Sequence, residues 1–553
     1  MGILPLIKWA EETKTGDIEE QNQFNRRWYA RIWTMVSADL HGCLGRHCPL
    51  FNSCFLQQAR QKALASHLVV INHALFFSDI CAESSFLGKT GTIIFDEAHH
   101  LESCGHRYLR VELDTNRINR YIDSGNNLLK ILENDKRIAE KVEIINNYKN
   151  ILRRVRKSAA LFLSDITEWA ISELEEKERY ENTENYVFAY RDNPFSSLSS
   201  LAGFEIIIKE MQDAFFSLQE LDYEGSNENH RFHSDVSACS EKTSQLKADL
   251  SYLTNAATDD HVFWVEGDRN KNWVKLCGVT LDIGELLSAI WEGTKGAIIF
   301  TSATMTVSES IDYFKRKVGL VGELEERTLF KAFSSPFISE QMFRCAVSSS
   351  LIPDSKGYNE YIADVVIRLL NTFDKNILVL FTANSMLYGV HNVLKNSSQF
   401  PDDGIFFAQG LSGTRSALLD KFKESKKSVL LGTSSFWEGI DAPGKACEIV
   451  IIPRLPFPVP THPLTQALAA RMEERYGDCF FGFSVPEAVI KFRQGAGRLI
   501  RSGKDRGAFI VLDGRIVKKN YGKVFTRSLE GGFVKSAGVD DMIEKVTAFF
   551  NNT

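Results

Sequence analysis

Long apolar runs are missing from this sequence: none reaches the ~18 residues that a membrane span needs. The first residues, MGILPLIKWAEETKTGD, lack the basic start and long apolar centre of a signal peptide, and Leu6 stands where a myristoylation signal has Ser or Thr. Internal repeats and low-complexity linkers are also absent. The 553 residues therefore predict a globular chain of about three or four domains, with no membrane partner and an expected location in the cytoplasm.

Excess positive charge is absent as well, because the net charge is −6. Any nucleic-acid binding must therefore come from local basic patches. The composition, 44% hydrophobic and 25% charged, is typical of a soluble globular protein and excludes a disordered chain. With no export signal, the 10 cysteines indicate reduced thiols or metal ligands rather than disulfides.

Short runs rich in Val, Ile and Phe, each leading into a polar or Gly-containing turn, recur along the chain. Such runs predict strands buried on both faces, as in a parallel sheet flanked by helices. The fold class that they indicate is α/β. The runs are HLVVIN, TIIFDEAHH, GAIIFTSAT, NILVLFTA, SVLLGTSS, EIVIIP and AFIVLDG.

Between the second and third of these runs, from about 105 to 290, the strand signal disappears. Apolar residues from Ile138 to Trp169 instead recur every three or four positions, which predicts a long amphipathic helix packed in a helical insert. The segment RRVRK, residues 153–157, lies on this helix. It is either a solvated face or a phosphate contact.

Three cysteines lie close together in HGCLGRHCPLFNSC, residues 41–54: Cys43, Cys48 and Cys54. The C-x2-C pairs typical of zinc modules are absent here. A zinc site made by these thiols with His41 or His47 remains an alternative to an iron–sulfur cluster, which needs four thiolates as a rule.

The strongest chemical signal is TIIFDEAHH, residues 92–100. An apolar strand that ends in Asp-Glu places two carboxylates at the carboxyl edge of a sheet, where open α/β folds bind ligands. Asp96 would hold a Mg²⁺ that bridges nucleotide phosphates, and Glu97 would polarise the attacking water. A zinc-protease motif is excluded because H-E-x-x-H needs His where this chain has Asp96.

A second nucleotide signal is QGAGRLIRS, residues 494–502. Arg498 and Arg501 are three apart, so they share a face if the segment is helical. Guanidinium groups suit a triphosphate because each offers forked donors to phosphate oxygens.

Seven motifs together resemble the DinG and XPD helicases of superfamily 2, and most closely the bacterial DinG branch. They occur in that family's order and rough spacing over nearly the whole chain. They are DEAHH, FTSATM (300–305), SSPF (334–337), LVLFTANSML (378–387), SSFWEGIDAPG (434–444), PRLPFP (453–458) and QGAGRLIR (494–501).

The resemblance implies two RecA-like motor domains, a helical arch inserted in the first of them, and an iron–sulfur domain. It also implies ATP-driven unwinding of DNA with 5′ to 3′ movement, and single-stranded and forked DNA as partners. The expected boundaries are 1–66 for a partial iron–sulfur domain, 67–104 and 291–330 for an incomplete first motor domain, 105–290 for the arch, and 331–553 for the second motor domain.

The resemblance also assigns roles to individual residues. Asp96 and Glu97 become the Mg²⁺ ligand and the catalytic base, and His99 links them to the motor interface. Ser302, Ala303 and Thr304 would couple nucleotide state to DNA grip, unless they form a plain strand-end turn. The residues expected near ATP are Gly439, Asp441, Gln494, Gly497, Arg498 and Arg501, with Arg501 as the arginine finger. The segment PRLPFPVPTHP would be a rigid loop near the DNA path rather than a polyproline ligand.

In this family the last three ligands of a [4Fe–4S] cluster follow C-x4-C-x5-C, the spacing of Cys43, Cys48 and Cys54. The first family ligand lies well upstream, and no cysteine precedes Cys43 here. We therefore expect a deficient cluster, with Cys81 and Cys104 as the nearest spare thiols.

The family's phosphate-binding loop, G-x-x-x-x-G-K-[ST], does not occur in the 553 residues. The GKT at 88–90 is a decoy, because Glu83 stands where the first glycine belongs. Met1 is thus expected to begin inside the iron–sulfur domain. Two hypotheses follow: this is the C-terminal portion of a DinG-type helicase that needs an N-terminal polypeptide as partner, or it is an ATPase-deficient nucleic-acid-binding accessory protein.

Overall fold

Two compact units form the chain in the computed structural model. The first comprises Met1–Ile93, Leu101–Ile283 and Thr461–Leu464, and the second Ile94–His100, Gly284–Pro460 and Thr465–Thr553. No helix among the described residues is both long and apolar enough to cross a membrane. The described residues are 3–20, 24, 29, 32–33, 36–37, 43, 48, 50–80, 91–134, 142–176, 185–220, 226–257, 259–270, 273–335, 337, 339–348, 351–437 and 444–552.

The first unit combines helices with a four-stranded antiparallel sheet. Helices and strands of both units are numbered together in chain order. The strand order is β2-β5-β4-β3. Its helices are α1 (Leu4–Glu12), α2 (Phe55–Ala65), α3 (His73–Ile80), α4 (Leu101–Tyr108), α5 (Thr115–Asn134), α6 (Val142–Glu176), α7 (Ser199–Gln219) and α8 (Ser226–Asn255). Its strands are β2 (Val111–Asp114), β3 (Asn185–Tyr190), β4 (His261–Asp268) and β5 (Trp273–Thr280).

The second unit is built on a parallel seven-stranded sheet with the order β13-β7-β12-β11-β8-β10-β9. A separate two-stranded sheet pairs β1 with β6. The strands are β1 (Thr92–Phe95), β6 (Ala297–Phe300), β7 (Met342–Val347), β8 (Ile377–Leu380), β9 (Ile405–Ala408), β10 (Ser428–Gly432), β11 (Ile449–Ile452), β12 (Gly507–Val511) and β13 (Val534–Ser536). The helices are α9 (Ile283–Gly293), α10 (Asp312–Lys317), α11 (Glu323–Glu326), α12 (Tyr358–Thr372), α13 (Asn384–Asn396), α14 (Arg415–Glu424), α15 (Ser434–Trp437), α16 (Pro463–Tyr476), α17 (Val485–Ala496), α18 (Arg515–Lys518), α19 (Gly522–Arg527) and α20 (Val539–Asn551).

The predicted α/β class is confirmed by the seven-stranded sheet, which is RecA-like in being parallel and covered by helices on both faces. Ile377 and Val379 of β8 belong to a core shared with α12, α13 and α20. Leu378 and Leu380 of the same strand belong to a second core shared with α14, α17 and α19. Alternate residues of a strand point to opposite faces, so a continuous apolar run is the pattern that a doubly covered strand requires.

The predicted long helix in the insert is confirmed as α6. Its buried side includes Tyr148, Val155, Ala159 and Phe162, all fully enclosed, and it packs against residues of α5, α7 and α8. The Tyr148 hydroxyl donates to the backbone carbonyl of Gly125 on α5 at 3.1 Å. Burial raises the pKa of this phenol well above its ordinary value.

The expectation of an insert without strands was wrong, because β2, β3, β4 and β5 all lie between 105 and 290. These strands form an antiparallel sheet, and β3 and β4 do contain apolar runs, residues 186–190 and 262–265, that the sequence interpretation passed over. The signal that was present is the hairpin: two aromatic and β-branched runs flank the polar turn around Asn270, whose N–H donates to Asp268 Oδ1 at 2.9 Å.

The run HLVVIN, residues 67–72, was predicted to be a strand and is not one. Leu68 and Val70 are 76% and 87% exposed, and no strand pairs with the segment among the described residues. An apolar run becomes a strand only where a neighbour takes up its backbone hydrogen bonds. The β1–β6 pair also differs from the prediction of strands buried on both faces, because Ile94 and Ile299 are 60% and 44% exposed.

Candidate active site

The two predicted carboxylates follow β1 directly and face solvent. Asp96 Oδ1 accepts hydrogen bonds from Thr301 Oγ1 at 2.8 Å and from the backbone N–H of Glu97 at 3.0 Å. Backbone bonds between Phe95 and Thr301 and between Ala98 and Thr301 tie the ends of β1 and β6 together. Glu97 has a φ of 48°, a left-handed conformation that costs a non-glycine residue free energy and tends to occur at functional sites.

His99 lies beside these carboxylates with only 4% of its side chain exposed. Its Nδ1 is 2.6 Å from Ser302 Oγ, 3.2 Å from Thr304 Oγ1 and 3.4 Å from Glu97 Oε2. Its Nε2 is in close contact with the side-chain amide of Gln494. Five of the predicted site residues therefore meet in one cluster, the His99 network, made by Glu97, His99, Ser302, Thr304 and Gln494.

The hydrogen bonds of the His99 network run in a consistent direction. With the Gln494 amide nitrogen as donor, His99 Nε2 is the acceptor, and the neutral ring then carries its proton on Nδ1 and donates it to the Ser302 hydroxyl. Ser302 Oγ in turn donates to Glu97 Oε2 at 3.3 Å. A chain of hydrogen bonds therefore runs from Gln494 through His99 and Ser302 to Glu97.

The segment of Ser302, Ala303 and Thr304 is held by a residue that the sequence interpretation missed. Arg493 on α17 donates from Nη2 to the carbonyl of Ala303 at 2.8 Å and from Nη1 to the carbonyl of Thr306 at 2.9 Å. Burial lowers the pKa of this guanidinium. The only signal in the sequence was its position immediately before the QGAGR motif.

A second missed contact ties the same region to α17. Glu487 Oε1 accepts a hydrogen bond from the Tyr313 hydroxyl at 2.5 Å. The same oxygen forms an ion pair with Lys317 Nζ at 2.5 Å. Helix α17 itself packs tightly on the sheet, since a Cβ added at Gly495 would lie 3.3 Å from Ile452 Cδ1 of β11 and 3.3 Å from Leu380 Cδ1 of β8. The segment from Ser302 to Lys317 is therefore anchored on α17 at several points.

The condition under which Arg498 and Arg501 would share a helical face is not met, because α17 ends at Ala496. After Gly497 the backbone tightens, with the N–H groups of Arg498 and Leu499 bonded three residues back, and this ends the helix. Arg498 Nε donates to the carbonyl of Trp437 at 2.9 Å. Arg501 is exposed, and its backbone N–H donates to Asp505 Oδ2 at 2.8 Å.

Two predicted nucleotide-binding residues, Gly439 and Asp441, lie outside the described residues. The same holds for the GKT decoy at 88–90 and for Cys81, His41 and His47. Their predicted roles stay predictions.

The three clustered cysteines are described, but they do not form a ligand set. Cys43 is exposed and its Sγ accepts from Gln57 Nε2 at 3.3 Å, while Cys48 and Cys54 are half-buried. Cys104 Sγ lies 3.9 Å from His73 Nδ1. Within the described part of the chain no three His, Cys, Asp or Glu side chains are placed to hold a metal ion, so the residues as placed do not fit an iron–sulfur cluster.

The proline-rich segment PRLPFPVPTHP forms a loop up to the start of α16 at Pro463, as predicted. Arg454 pairs with Asp354 at 2.8 Å, and the N–H of Leu455 donates to Asp513 Oδ2 at 2.9 Å. The Phe457 ring lies against Phe480, Tyr521 and Phe525. These contacts account for a rigid loop.

Comparison with known proteins gives a family match for part of the second unit. Residues 366–532, which include most of the seven-stranded sheet, match the family model of the helicase C-terminal domain. The solved structure of S. tokodaii Xpd4 superimposes on the chain with a TM-score of 0.48 and a sequence identity of 13%. The matched region covers 83% of this chain and 79% of the Xpd4 chain.

Curated relatives match over nearly the full chain. The chain is 32% identical over 550 residues to the protein named 3′-5′ exonuclease DinG of Bacillus subtilis. The matched region covers 95% of this chain and 58% of the Bacillus protein. The chain is 28% identical over 533 residues to the ATP-dependent DNA helicase YoaA of Haemophilus influenzae, covering 94% of this chain and 75% of the relative. The chain thus spans less than two thirds of the length of the Bacillus protein.

These matches make the chain similar to the DinG and YoaA proteins over most of its length, with a helicase C-terminal domain match at residues 366–532. Its seven sequence motifs resemble those of the DinG/XPD-type helicases of superfamily 2, in agreement with the DinG and YoaA matches.

Proposed function

We propose that this chain is the C-terminal portion of a cytoplasmic DinG-type helicase that uses ATP to move 5′ to 3′ along single-stranded DNA and to unwind forked DNA. The observation that carries the proposal is the His99 network, which joins Glu97 after β1, Ser302 after β6 and Gln494 on α17. The YoaA relative's name, ATP-dependent DNA helicase, supports the activity. A polypeptide bearing a phosphate-binding loop is the proposed partner.

Each residue of the site has a proposed task. Carboxylate oxygens are the ligands that Mg²⁺ prefers, and exposed Asp96 with the Thr301 hydroxyl bonded to it suits that ion, which would neutralise phosphate charge. Glu97 would orient and deprotonate the attacking water. Arg498 and Arg501 would stabilise the phosphate oxygens as charge develops. Gly439, Asp441 and Gly497 would lie near the nucleotide.

The coupling step is assigned to Ser302, Ala303 and Thr304. Because Gln494 reaches Glu97 through His99 and Ser302, a phosphate that displaces Gln494 would also disturb the segment that Arg493 anchors. No step is assigned to an iron–sulfur cluster, since the described cysteines do not assemble a ligand set.

The test is strand displacement by the chain fused to a phosphate-loop segment of a DinG-type relative. With ATP and Mg²⁺, we expect displacement of a fluorescent strand from a duplex with a 5′ single-stranded tail and none from a duplex with a 3′ tail. Displacement that needs a 3′ tail would overturn the direction. Failure on every substrate, with single-stranded DNA still bound, would favour the accessory protein, the second candidate suggested by the missing phosphate loop.

A further inference from the structure

Helix α6 carries an unusual run of charge in its middle. Between Glu143 and Asp165 it has no acidic residue, but it has five cations: Lys149, Arg153, Arg154, Arg156 and Lys157. The chain as a whole has a net charge of −6. The middle of α6 is therefore a local exception to the charge of the protein.

The helical period places these cations on different sides of α6. Ile151, Val155 and Phe162 face the core, and the opposite side of the helix is exposed. Arg153 and Lys157, one turn apart, lie on that exposed side in line with Asn146 and Asn150, and Arg156 flanks them. We call these five residues, Asn146, Asn150, Arg153, Arg156 and Lys157, the α6 stripe.

Two of the five cations already have partners on neighbouring helices. Lys149 Nζ is 2.8 Å from Glu133 Oε1 on α5, and the Arg154 guanidinium makes a forked contact with Glu210 on α7. Arg153, Arg156 and Lys157 make no side-chain hydrogen bond or ion pair within the described residues and are exposed. Three cations thus project from one face without a neutralising partner in the part of the chain that the structure describes.

We propose that the α6 stripe binds the sugar–phosphate backbone of a single strand of nucleic acid. Guanidinium groups donate in a fork that matches phosphate oxygens, and Lys adds a point charge. Arg153 and Lys157 are separated by one helical turn, about 6 Å along the axis, so the narrow stripe meets two or three phosphates of one strand. The two Asn amides add uncharged donors on the same face.

The binding is independent of base sequence. The stripe has no aromatic residue on which a base could stack, and the small Ala160 follows the cations on the same side. Salt-sensitive contact with phosphates is the chemistry that remains. The inference rests on the proposed function in taking DNA as the ligand, and it adds a contact surface outside the residues assigned there.

The test uses the full chain without ATP. Binding of a fluorescein-labelled dT oligonucleotide is followed by anisotropy from low to physiological salt for the wild type and for the triple variant R153Q/R156Q/K157Q. We expect about a tenfold or greater loss of affinity at low salt, and a fall of about 2 in the slope of log affinity against log salt, because each lost single-strand phosphate contact contributes about 0.7. Gln is a good helix former, so α6 should remain folded, and circular dichroism checks this.

The matched control is K421Q/K423Q/K426Q, which removes three exposed cations at and just beyond the end of α14. An equal loss of affinity in the control would show that the effect comes from the net charge of the protein, and this would overturn the proposal. The conservative variant R153K/R156K should keep the wild-type salt slope with a smaller loss of affinity. If the wild type binds and the triple variant binds equally well, the α6 stripe is not a contact and the proposed helicase stands. If the wild type binds no DNA, the proposal for the stripe fails, and strand displacement by the fusion decides the proposed helicase.

Discussion

Replacing Glu97 with Gln should lower the DNA-stimulated ATP turnover number of the chain fused to a phosphate-loop segment by about 10²- to 10⁴-fold, the range for loss of a general base. Gln has the same shape and keeps an oxygen to accept the hydrogen bond from Ser302, so the His99 network should persist. It cannot take a proton from water. The measurement is steady-state ATP hydrolysis with and without single-stranded DNA.

The matched control is Glu309→Gln, which removes an exposed carboxylate in the loop that follows β6 without touching the His99 network. It should leave turnover within about twofold of the wild type, as surface substitutions away from a site usually have small effects. A Glu97→Gln protein that hydrolyses ATP at the wild-type rate would remove Glu97 from the chemistry.

Replacing Asn376 with Ala should lower the free energy of unfolding of the second unit by about 3 kcal/mol, because several buried partners lose their hydrogen bonds together. The side chain is 3% exposed. Its amide nitrogen donates to the carbonyls of Phe422, Ser425 and Ala446 at 2.9 to 3.3 Å. Its Oδ1 accepts from the N–H and the hydroxyl of Ser428 at 3.0 and 2.8 Å.

Urea unfolding followed by circular dichroism measures this effect on the full chain. Asn396→Ala is the control, because Asn396 is an exposed residue at the end of α13 and its loss should cost less than about 0.5 kcal/mol. Equal stability of the Asn376→Ala and Asn396→Ala proteins would show that the buried amide does not hold β8, β10 and the ends of their connections together.

The parts of the fold that the sequence predicted share one physical property. Strands β8, β10, β11 and β12 are buried on both faces, so their apolar runs are continuous and visible without knowledge of their neighbours. Helix α6 has a long series of apolar residues at helical spacing for the same reason, since one whole side of the helix is buried. Strands β2 to β5 escaped notice although β4 has a buried apolar run at residues 262–265, because the helical period of α6 was extended to the whole insert.

The candidate site divides in a similar way. Asp96, Glu97, His99, Ser302 and Gln494 were recognised from short motifs, and the structure brings the described members together. Arg493 was missed because its role depends on carbonyls of Ala303 and Thr306 almost two hundred positions away, which no local pattern encodes. Arg498 and Arg501 do not share a helical face because α17 ends at Ala496, after which the backbone tightens.

We propose that these 553 residues carry the carboxylates for ATP hydrolysis and the network that couples it to movement, but not the groups that grip the β and γ phosphates. The direct measurement is DNA-stimulated ATP hydrolysis by the purified chain, alone and fused to a phosphate-loop segment. Without the backbone N–H groups and Lys of such a loop the phosphates lose their main positioning contacts, so the account predicts background hydrolysis by the chain alone and DNA-stimulated turnover by the fusion. Robust turnover by the chain alone that disappears in Glu97→Gln would contradict it.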